Sequence, residues 1–173
     1  MKEALLVIDM LNDFVLPGAP LEVPSARRII APLKARIARA RKKGIPVMYL
    51  CDAHRKDDPE FIRMGWPPHA IAGSAGAQVV SELMPLPRDA VVRKRSYSGF
   101  FETSLERQLR CRGVIKLTVT GCVTNICVLY TAADAVQRGY GVTVYRNCVA
   151  SLNARDHEFA LRQMQEVLGA RVV

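Results

Sequence analysis

Three side chains of complementary chemistry, Asp9, Lys94 and Cys127, lie at or after the ends of predicted strands. A thiol is a nucleophile, a carboxylate can take its proton and return it to a leaving amine, and an ammonium favours the thiolate. Cys127 also lies near the predicted start of a helix, where free N–H groups and the helix dipole favour negative charge. The pattern predicts a nucleophile, a general base and an electrostatic partner that cleave an amide or carbamoyl group.

Each of these residues also has an ordinary structural interpretation. A cysteine is more often a small buried apolar residue, and an aspartate that ends a strand often belongs to a turn or a helix cap. Lys94 lies in the basic triplet Arg93–Arg95, which could be solvated. The catalytic interpretation depends on their meeting at one rim of a sheet, because ligands of open parallel sheets bind beyond the carboxyl ends of the strands.

A second group of candidate residues consists of Asp52, His54 and His69. One carboxylate and two imidazoles are ordinary ligands of a divalent transition metal, and three protein ligands leave positions open for water or substrate. The spacing of Asp52 and His54 is a weak signal by itself. The alternatives are that His69 only hydrogen-bonds its own loop and that Trp66 is a packing residue.

The elements that must position these residues follow from alternating short apolar runs and longer amphipathic ones. Continuous apolar runs predict a parallel sheet that helices cover on both faces. The predicted strands are Ala4–Asp9, Pro46–Cys51, Ala90–Arg93, Lys116–Thr120, Val142–Tyr145 and a short one near Arg171–Val173.

The predicted helices carry recognisable start and stop signals. The first runs from Pro32 to the residue before Gly44, and the second starts at a capping box of Thr103 and Glu106. The remaining two are predicted over Asn125–Arg138 and Arg155–Leu168. The segment Ala53–Ala75 follows neither period and is predicted to be a long functional loop.

Composition narrows the class of protein. The chain has 173 residues, half of them apolar, which predicts one domain over residues 1–173. The apolar run before Asp9 is too short for a signal peptide and no run is long enough to span a bilayer, so we expect a cytoplasmic protein without a membrane partner. The five scattered cysteines are expected to be reduced thiols.

The formal net charge of +9 raises the question of nucleic-acid binding. Many of the cations lie between Arg27 and Lys43, where Ile29, Leu33 and Ile37 recur at helical spacing. This pattern describes a solvated helix face. No zinc-finger spacing or base-stacking strand is found, so we expect a small-molecule substrate and no nucleic-acid partner.

Three segments resemble the isochorismatase-like cysteine hydrolases. They are I8-D9-M10-L11-N12-D13-F14, V92-R93-K94-R95-S96-Y97-S98-G99-F100-F101-E102-T103, and T120-G121-C122-V123-T124-N125-I126-C127-V128. The resemblance covers nearly the whole chain in the same order. It implies a three-layer α/β/α fold whose six-stranded parallel sheet has the order 3-2-1-4-5-6, and it commonly implies a homo-oligomer.

The same resemblance implies roles for individual residues. Asp9 matches the family's acid/base aspartate, Lys94 its lysine and Cys127 its nucleophile. A cis peptide bond would join Cys122 to Val123 and aim the N–H groups of Val123 and Cys127 at the developing oxyanion.

Within the family, the nicotinamidase/pyrazinamidase branch has an additional metal site. D52-A53-H54 with W66-P67-P68-H69 and A72-G73-S74-A75-G76-A77 is similar to it. The resemblance implies Asp52, His54 and His69 as ligands, with Glu60 as a possible fourth, and zinc, iron or manganese as the ion. Phe14 and Trp66 lie where that branch holds a pyridine ring.

We therefore predict hydrolysis of nicotinamide to nicotinate and ammonia, a reaction of NAD salvage. One alternative is another amidase of the family that acts on a small carbamoyl or ureido substrate. The other is a binding protein that kept the scaffold and lost the activity. One departure from the branch bears on the substrate: a proline often follows the second ligand, whereas here R55-K56-D57-D58 follows His54.

Overall fold

The computed structural model describes residues 2–173, which form a parallel sheet between two layers of helices. The strands are β1 (Glu3–Ile8), β2 (Val47–Asp52), β3 (Ala90–Lys94), β4 (Lys116–Cys122), β5 (Gly141–Ala150) and β6 (Arg171–Val172). Their order across the sheet is β3-β2-β1-β4-β5-β6, and every neighbouring pair is parallel. The predicted fold class and strand order are confirmed.

The sheet is apolar because both of its faces are covered. In β2 every residue is buried, and in β1 only Glu3 is exposed. Alternate residues of β1 enter two separate cores: Leu5 and Val7 pack in one, and Leu6 and Ile8 pack in the other. This alternation is the ordinary consequence of successive strand side chains pointing to opposite faces.

Six helices cover these faces. They are α1 (Asn12–Val15), α2 (Ala26–Lys42), α3 (Pro59–Met64), α4 (Leu105–Cys111), α5 (Leu129–Gln137) and α6 (Ala154–Arg162). Buried residues of α1 and α2 belong to one core, and those of α4, α5 and α6 belong to the other. No helix within residues 2–173 combines the length and apolar character needed to cross a bilayer.

The predicted start of the first main helix at Pro32 is wrong. Helix α2 begins at Ala26, and Pro32 lies inside it. Burial of Ala26 and Ile29 against the sheet stabilises the turns before the proline. That tertiary packing outweighs the lost hydrogen bond, which proline cannot donate to the carbonyl of Arg28.

The predicted capping box is also wrong. Helix α4 begins at Leu105, and the Thr103 hydroxyl accepts a hydrogen bond from the Leu105 N–H at 3.1 Å while it donates to the Gly99 carbonyl at 2.5 Å. The Glu106 carboxylate instead pairs with Arg110, one turn later in the helix. The Thr103 hydroxyl therefore connects the start of α4 to the loop that precedes it.

The predicted loop over residues 53–75 contains a short helix, α3. Asp58 caps it by accepting the Glu60 N–H at 3.1 Å, Pro59 follows, and Gly65 ends it with a φ of 64°. These are ordinary helix start and stop signals, and the sequence analysis overlooked them. The rest of the segment is irregular, and its His54 forms an isolated bridge with Ile71.

Candidate active site

Four neighbouring strands carry the candidate catalytic residues to one edge of the sheet. Asp9 follows β1, Asp52 ends β2, Lys94 ends β3, and Cys127 lies in the helical turn after β4. Because β3, β2, β1 and β4 are adjacent, their carboxyl ends deliver these side chains side by side. Asp9 has a φ of 48°, a left-handed conformation that is uncommon outside glycine and is found at functional sites.

The Lys94 ammonium lies at the centre of this group. Its Nζ is 2.7 Å from Asp9 Oδ2, 2.5 Å from Asp52 Oδ1 and 3.5 Å from Cys127 Sγ. All four side chains are buried. The structure therefore brings the three predicted catalytic residues together and adds Asp52, which the sequence analysis assigned only to the metal group.

Charge in this group is unevenly balanced, because two carboxylates and a thiol surround one ammonium. Burial alone would lower the pKa of Lys94, but the carboxylates of Asp52 and Asp9 raise it well above its usual value. Burial, together with the negative charge of Asp52, raises the pKa of Asp9 to about 6 against the opposing effect of Lys94. With this pKa, Asp9 is mostly ionised near pH 7. It is also a stronger base than an ordinary aspartate, which suits a residue that must take up and return a proton.

Burial and charge around Cys127 act against the predicted thiolate. Burial raises the pKa of its thiol well above the usual value, and the carboxylates of Asp9 and Asp52 oppose the effect of Lys94. These surroundings favour the thiol over the predicted thiolate. Desolvation and the two carboxylates outweigh one ammonium and the start of a helix.

A wide helical turn, Thr124–Val128, connects β4 to α5 and carries Cys127. Its i→i+5 character is visible in the hydrogen bond from the Val128 N–H to the Val123 carbonyl at 3.2 Å. The peptide bond between Cys122 and Val123 is cis, as the family resemblance implies. Val123 precedes the turn and Cys127 lies within it, so their N–H groups belong to the helix start, where donors lack intrahelical partners.

The candidate metal ligands also meet at this edge of the sheet. Ligand atoms of Asp52, His54 and His69 all lie within 4.8 Å of one another, and the three side chains are buried. Asp52 divides its oxygens, because Oδ1 accepts from Lys94 while Oδ2 lies 3.6 Å from His54 Nε2. One carboxylate therefore connects the cysteine group to the histidine group.

The surroundings of the two imidazoles fit a metal site. His54 Nδ1 lies 3.1 Å from Asp58 Oδ2, and His69 Nδ1 lies 2.9 Å from the Pro67 carbonyl, so each ring can donate from Nδ1, and Nε2 is the nitrogen that could bind a metal ion in place of a proton. Such outer partners are typical of metal-binding histidines. Burial alone would lower the pKa of His54, but Asp52 and Asp58 raise it to about 8, so the local field favours added positive charge. Burial lowers the pKa of His69 and keeps that ring neutral.

A cavity of about 220 Å³ opens onto Cys127. Both predicted substrate-binding residues, Phe14 and Trp66, line it, and their rings lie 5.5 Å and 6.0 Å from the ring of His69. The charged or titratable lining residues are Glu22, Asp52, His54, Glu60, His69, Tyr97 and Cys127. Among the described residues that line this cavity there is no arginine or lysine.

Sequence analysis missed two residues near the site, Tyr97 and Asp13. Tyr97 lines the cavity, and its ring lies 6.4 Å from that of Trp66. Asp13 accepts the Ala70 N–H at 2.7 Å and so fixes the backbone next to His69. Both occur in the segments that carry the family resemblance, which was the available signal. Glu60 is buried, and its Oε2 lies 3.9 Å from His54 Nδ1.

Known proteins share both the sequence pattern and the fold. The isochorismatase domain matches residues 3–173. The nicotinamidase/pyrazinamidase PncA from Bacillus subtilis is 34% identical with a TM-score of 0.94, and the similarity covers 100% of both chains.

Two further solved structures are similar over most of their length. The pyrazinamidase of Pyrococcus horikoshii in complex with zinc is 32% identical with a TM-score of 0.92, covering 100% of this chain and 99% of the other. N-carbamoylsarcosine amidase from Thermoplasma acidophilum is 36% identical with a TM-score of 0.90, covering 99% and 95%.

Proposed function

The chain belongs to the isochorismatase family of hydrolases, and from that premise we propose that it hydrolyses nicotinamide, or a close heteroaromatic carboxamide, to the acid and ammonia. One observation carries the proposal: the thiol of Cys127 faces a small aromatic cavity that also contains a group of two histidines and an aspartate. A flat ring fits between Phe14 and Trp66, and its carboxamide can then reach the sulfur.

The proposed reaction uses the residues around Lys94. Asp9 takes the proton of Cys127, and the sulfur attacks the carboxamide carbon. The N–H groups of Val123 and Cys127 stabilise the oxyanion. Collapse breaks the C–N bond while Asp9 returns the proton to the leaving ammonia, and Asp9 then activates the water that hydrolyses the thioester. Lys94 compensates the negative charge that passes between Asp9 and the sulfur.

Asp52, His54 and His69 are the residues that would hold a divalent ion, with zinc favoured and iron or manganese accepted by the same ligands. When bound, the ion would supply a Lewis acid for the ring nitrogen of the substrate. The likeness to a pyrazinamidase in complex with zinc supports this assignment. The orientation of both histidines by Asp58 and Pro67 supports it independently.

The alternative substrate class, a small carbamoyl or ureido amide, has support from the likeness to N-carbamoylsarcosine amidase. Substrates of this kind that carry a carboxylate need a cationic partner to bind. The cavity instead presents the acids Glu22, Asp52 and Glu60, with no arginine or lysine in its described lining. A neutral ring carboxamide therefore suits the cavity better than an anionic amide does.

The deciding experiment measures ammonia release from nicotinamide, pyrazinamide, ureas and carbamates, with and without a chelator. We expect the two ring carboxamides to be the best substrates. Chelation should lower turnover, and added zinc should restore it. Preference for an anionic carbamoyl substrate would contradict the assignment, and no release from any amide would favour a binding protein on this scaffold.

Two variants connect that assay to the residues. Cys127→Ala should abolish ammonia release with little loss of folding, because the thiol is small and alanine leaves only a minor cavity. Cys111→Ala is the matched control, since Cys111 is exposed on α4 and should keep full activity. His69→Ala should lower bound metal, measured by elemental analysis, and raise KM; an unchanged metal content would exclude His69 as a ligand.

A further inference from the structure

The turn that carries both proposed oxyanion donors is tied down by side chains from other elements. Thr124 and Asn125 lie between Val123 and Cys127, at the start of the helical turn. Thr124 is fully buried, and its Oγ1 lies 3.0 Å from Nδ1 of His157 on α6. One hydrogen bond therefore links the turn to a helix that begins after β5.

The neighbouring Asn125 is held from a different direction. Its Oδ1 accepts a hydrogen bond from the Ser151 hydroxyl at 2.6 Å, and Ser151 follows the last residue of β5. The Ser151 carbonyl in turn accepts from the Ser25 hydroxyl at 2.5 Å, just before α2. Two adjacent residues of the turn are thus anchored separately, Thr124 to α6 and Asn125 to the residue that follows β5.

We propose that His157 is a positioning residue, which holds the Val123–Cys127 turn in the geometry for oxyanion stabilisation by fixing the hydroxyl of Thr124. This inference rests on the proposed acyl-transfer function. His157 does not line the catalytic cavity, so its effect passes through Thr124 and not through contact with substrate.

The chemistry of the contact supports a role beyond packing. A buried hydroxyl without a partner is destabilising, so the turn would move to satisfy Thr124 if the imidazole were removed. Burial lowers the pKa of His157, against the effect of nearby Glu158, and keeps the ring neutral near pH 7. Displacements of about 1 Å at a reacting centre can cost roughly a hundredfold in rate.

The positioning role makes a prediction that separates two reactions of the same sulfur. Acyl transfer creates an oxyanion, whereas alkylation by iodoacetamide does not. His157→Ala should therefore lower kcat about 10- to 100-fold with KM within about twofold, while alkylation of Cys127 keeps its wild-type rate. Equal loss of both reactions would show general damage to the site and would overturn the proposal, as would an unchanged kcat.

Further variants keep the test informative if His157→Ala folds poorly. Thr124→Val removes the hydroxyl at constant shape and should reproduce the kcat loss, and the double variant should be no slower than the slower single variant. His157→Asn, which can replace Nδ1 as a hydrogen-bonding atom, should restore much of the rate. Additive losses in the double variant, or no rescue by asparagine, would overturn the proposal.

The control and the substrate distinguish this proposal from the proposed function. Phe159→Ala removes a ring of similar size from a half-exposed position on the same helix and should leave kcat unchanged. Each variant is assayed with p-nitrophenyl acetate as well as nicotinamide, since the ester also forms an oxyanion on Cys127. If no amide is cleaved but the ester is, the substrate assignment fails while the role of His157 is still decided.

Discussion

At the scale of single residues, the site is organised by competition for one ammonium. Lys94 lies within 4 Å of Asp9, Asp52 and Cys127, and it cannot compensate all three as anions. Burial and this competition raise the pKa of Asp9 to about 6 and the pKa of the Cys127 thiol well above its usual value. These shifts favour an Asp9 that can accept a proton and a Cys127 thiol that can donate one when substrate binds.

The raised pKa of Asp9 predicts the acid limb of the pH profile. Below about pH 6 the carboxyl becomes protonated and can no longer take the thiol proton. We expect kcat/KM for nicotinamide to fall roughly tenfold per pH unit below that point, because this ratio reports the free enzyme. Initial rates from about pH 5 to pH 8 test this, and a flat profile down to pH 5 would contradict the role of Asp9.

The raised pKa of Asp9 affects stability in the opposite direction, because it favours the folded state at low pH. Because the folded-state pKa of about 6 lies above the ordinary aspartate value of 3.8, the contribution of Asp9 to stability is full below pH 3.8 and is lost as the pH rises through 6. Asp9→Asn should therefore be inactive at pH 7 and yet unfold at no lower urea concentration than the wild type. A large loss of stability would show that Asp9 has a structural role.

At the scale of elements, the junction between β4 and the catalytic turn depends on the close approach of two strands. Gly121 pairs with Ile8 and has a φ of 106°, which L side chains rarely adopt. A Cβ at this position would lie 1.9 Å from the Ile8 carbonyl oxygen. The absence of a side chain therefore lets β4 pair with β1 as far as Ile8. This pairing brings Asp9, which follows β1, close to the turn after β4 that carries Cys127.

This contact predicts the effect of a single methyl group. Gly121→Ala should destabilise the protein by about 3 kcal/mol or more, since both the backbone conformation and the Ile8 carbonyl would have to change. Activity should be lost in any fraction that folds. Urea unfolding measures the stability change.

The matched control is Gly139→Ala, because Gly139 also has a positive φ, 83°, but has no atom within 4 Å of an added Cβ. Only the conformational cost applies there, about 1–2 kcal/mol. Equal losses in the two variants would show that the contact with Ile8 does not matter.

At the scale of the whole molecule, the sheet joins the two cores into one structure. Successive residues of β1 enter opposite cores. Both cores therefore depend on the same strands, and loss of one core would destabilise the strands that the other core needs. The candidate catalytic residues lie at the ends of these strands or in the turn after β4, so their positions depend on both cores. The prediction of a single domain over residues 1–173 implies that the site and the cores unfold together.

Cooperative unfolding can be followed with two probes. Far-UV circular dichroism reports the helices and the sheet, and the fluorescence of Trp66, the one tryptophan of the chain, reports the cavity. We expect the two urea transitions to coincide at one midpoint. An earlier fluorescence transition would show that the segment around Trp66 unfolds independently, and the prediction of one cooperative unit would then be wrong.

Sequence patterns were sufficient to predict the fold class, and they also supplied most of the candidate site residues. Continuous apolar strands and amphipathic helices predict a covered parallel sheet, and the segments around Asp9, Lys94 and Cys127 carry the family pattern. Each of these signals is contained in a short segment, so it can be recognised without knowing which distant residues the segment contacts. The start of α2 was missed because its first turns depend on burial of Ala26 and Ile29 rather than on propensity.

How the candidate site residues affect one another depends on the tertiary structure. The raised pKa of Cys127, the shared oxygens of Asp52 and the contact between Thr124 and His157 depend on distances between residues far apart in the chain. A pKa follows from the sum of burial and charges in space, and sequence spacing specifies neither. Sequence patterns therefore predicted the reacting groups, whereas the packing of four strand ends sets the burial and the charges that shift their pKa values.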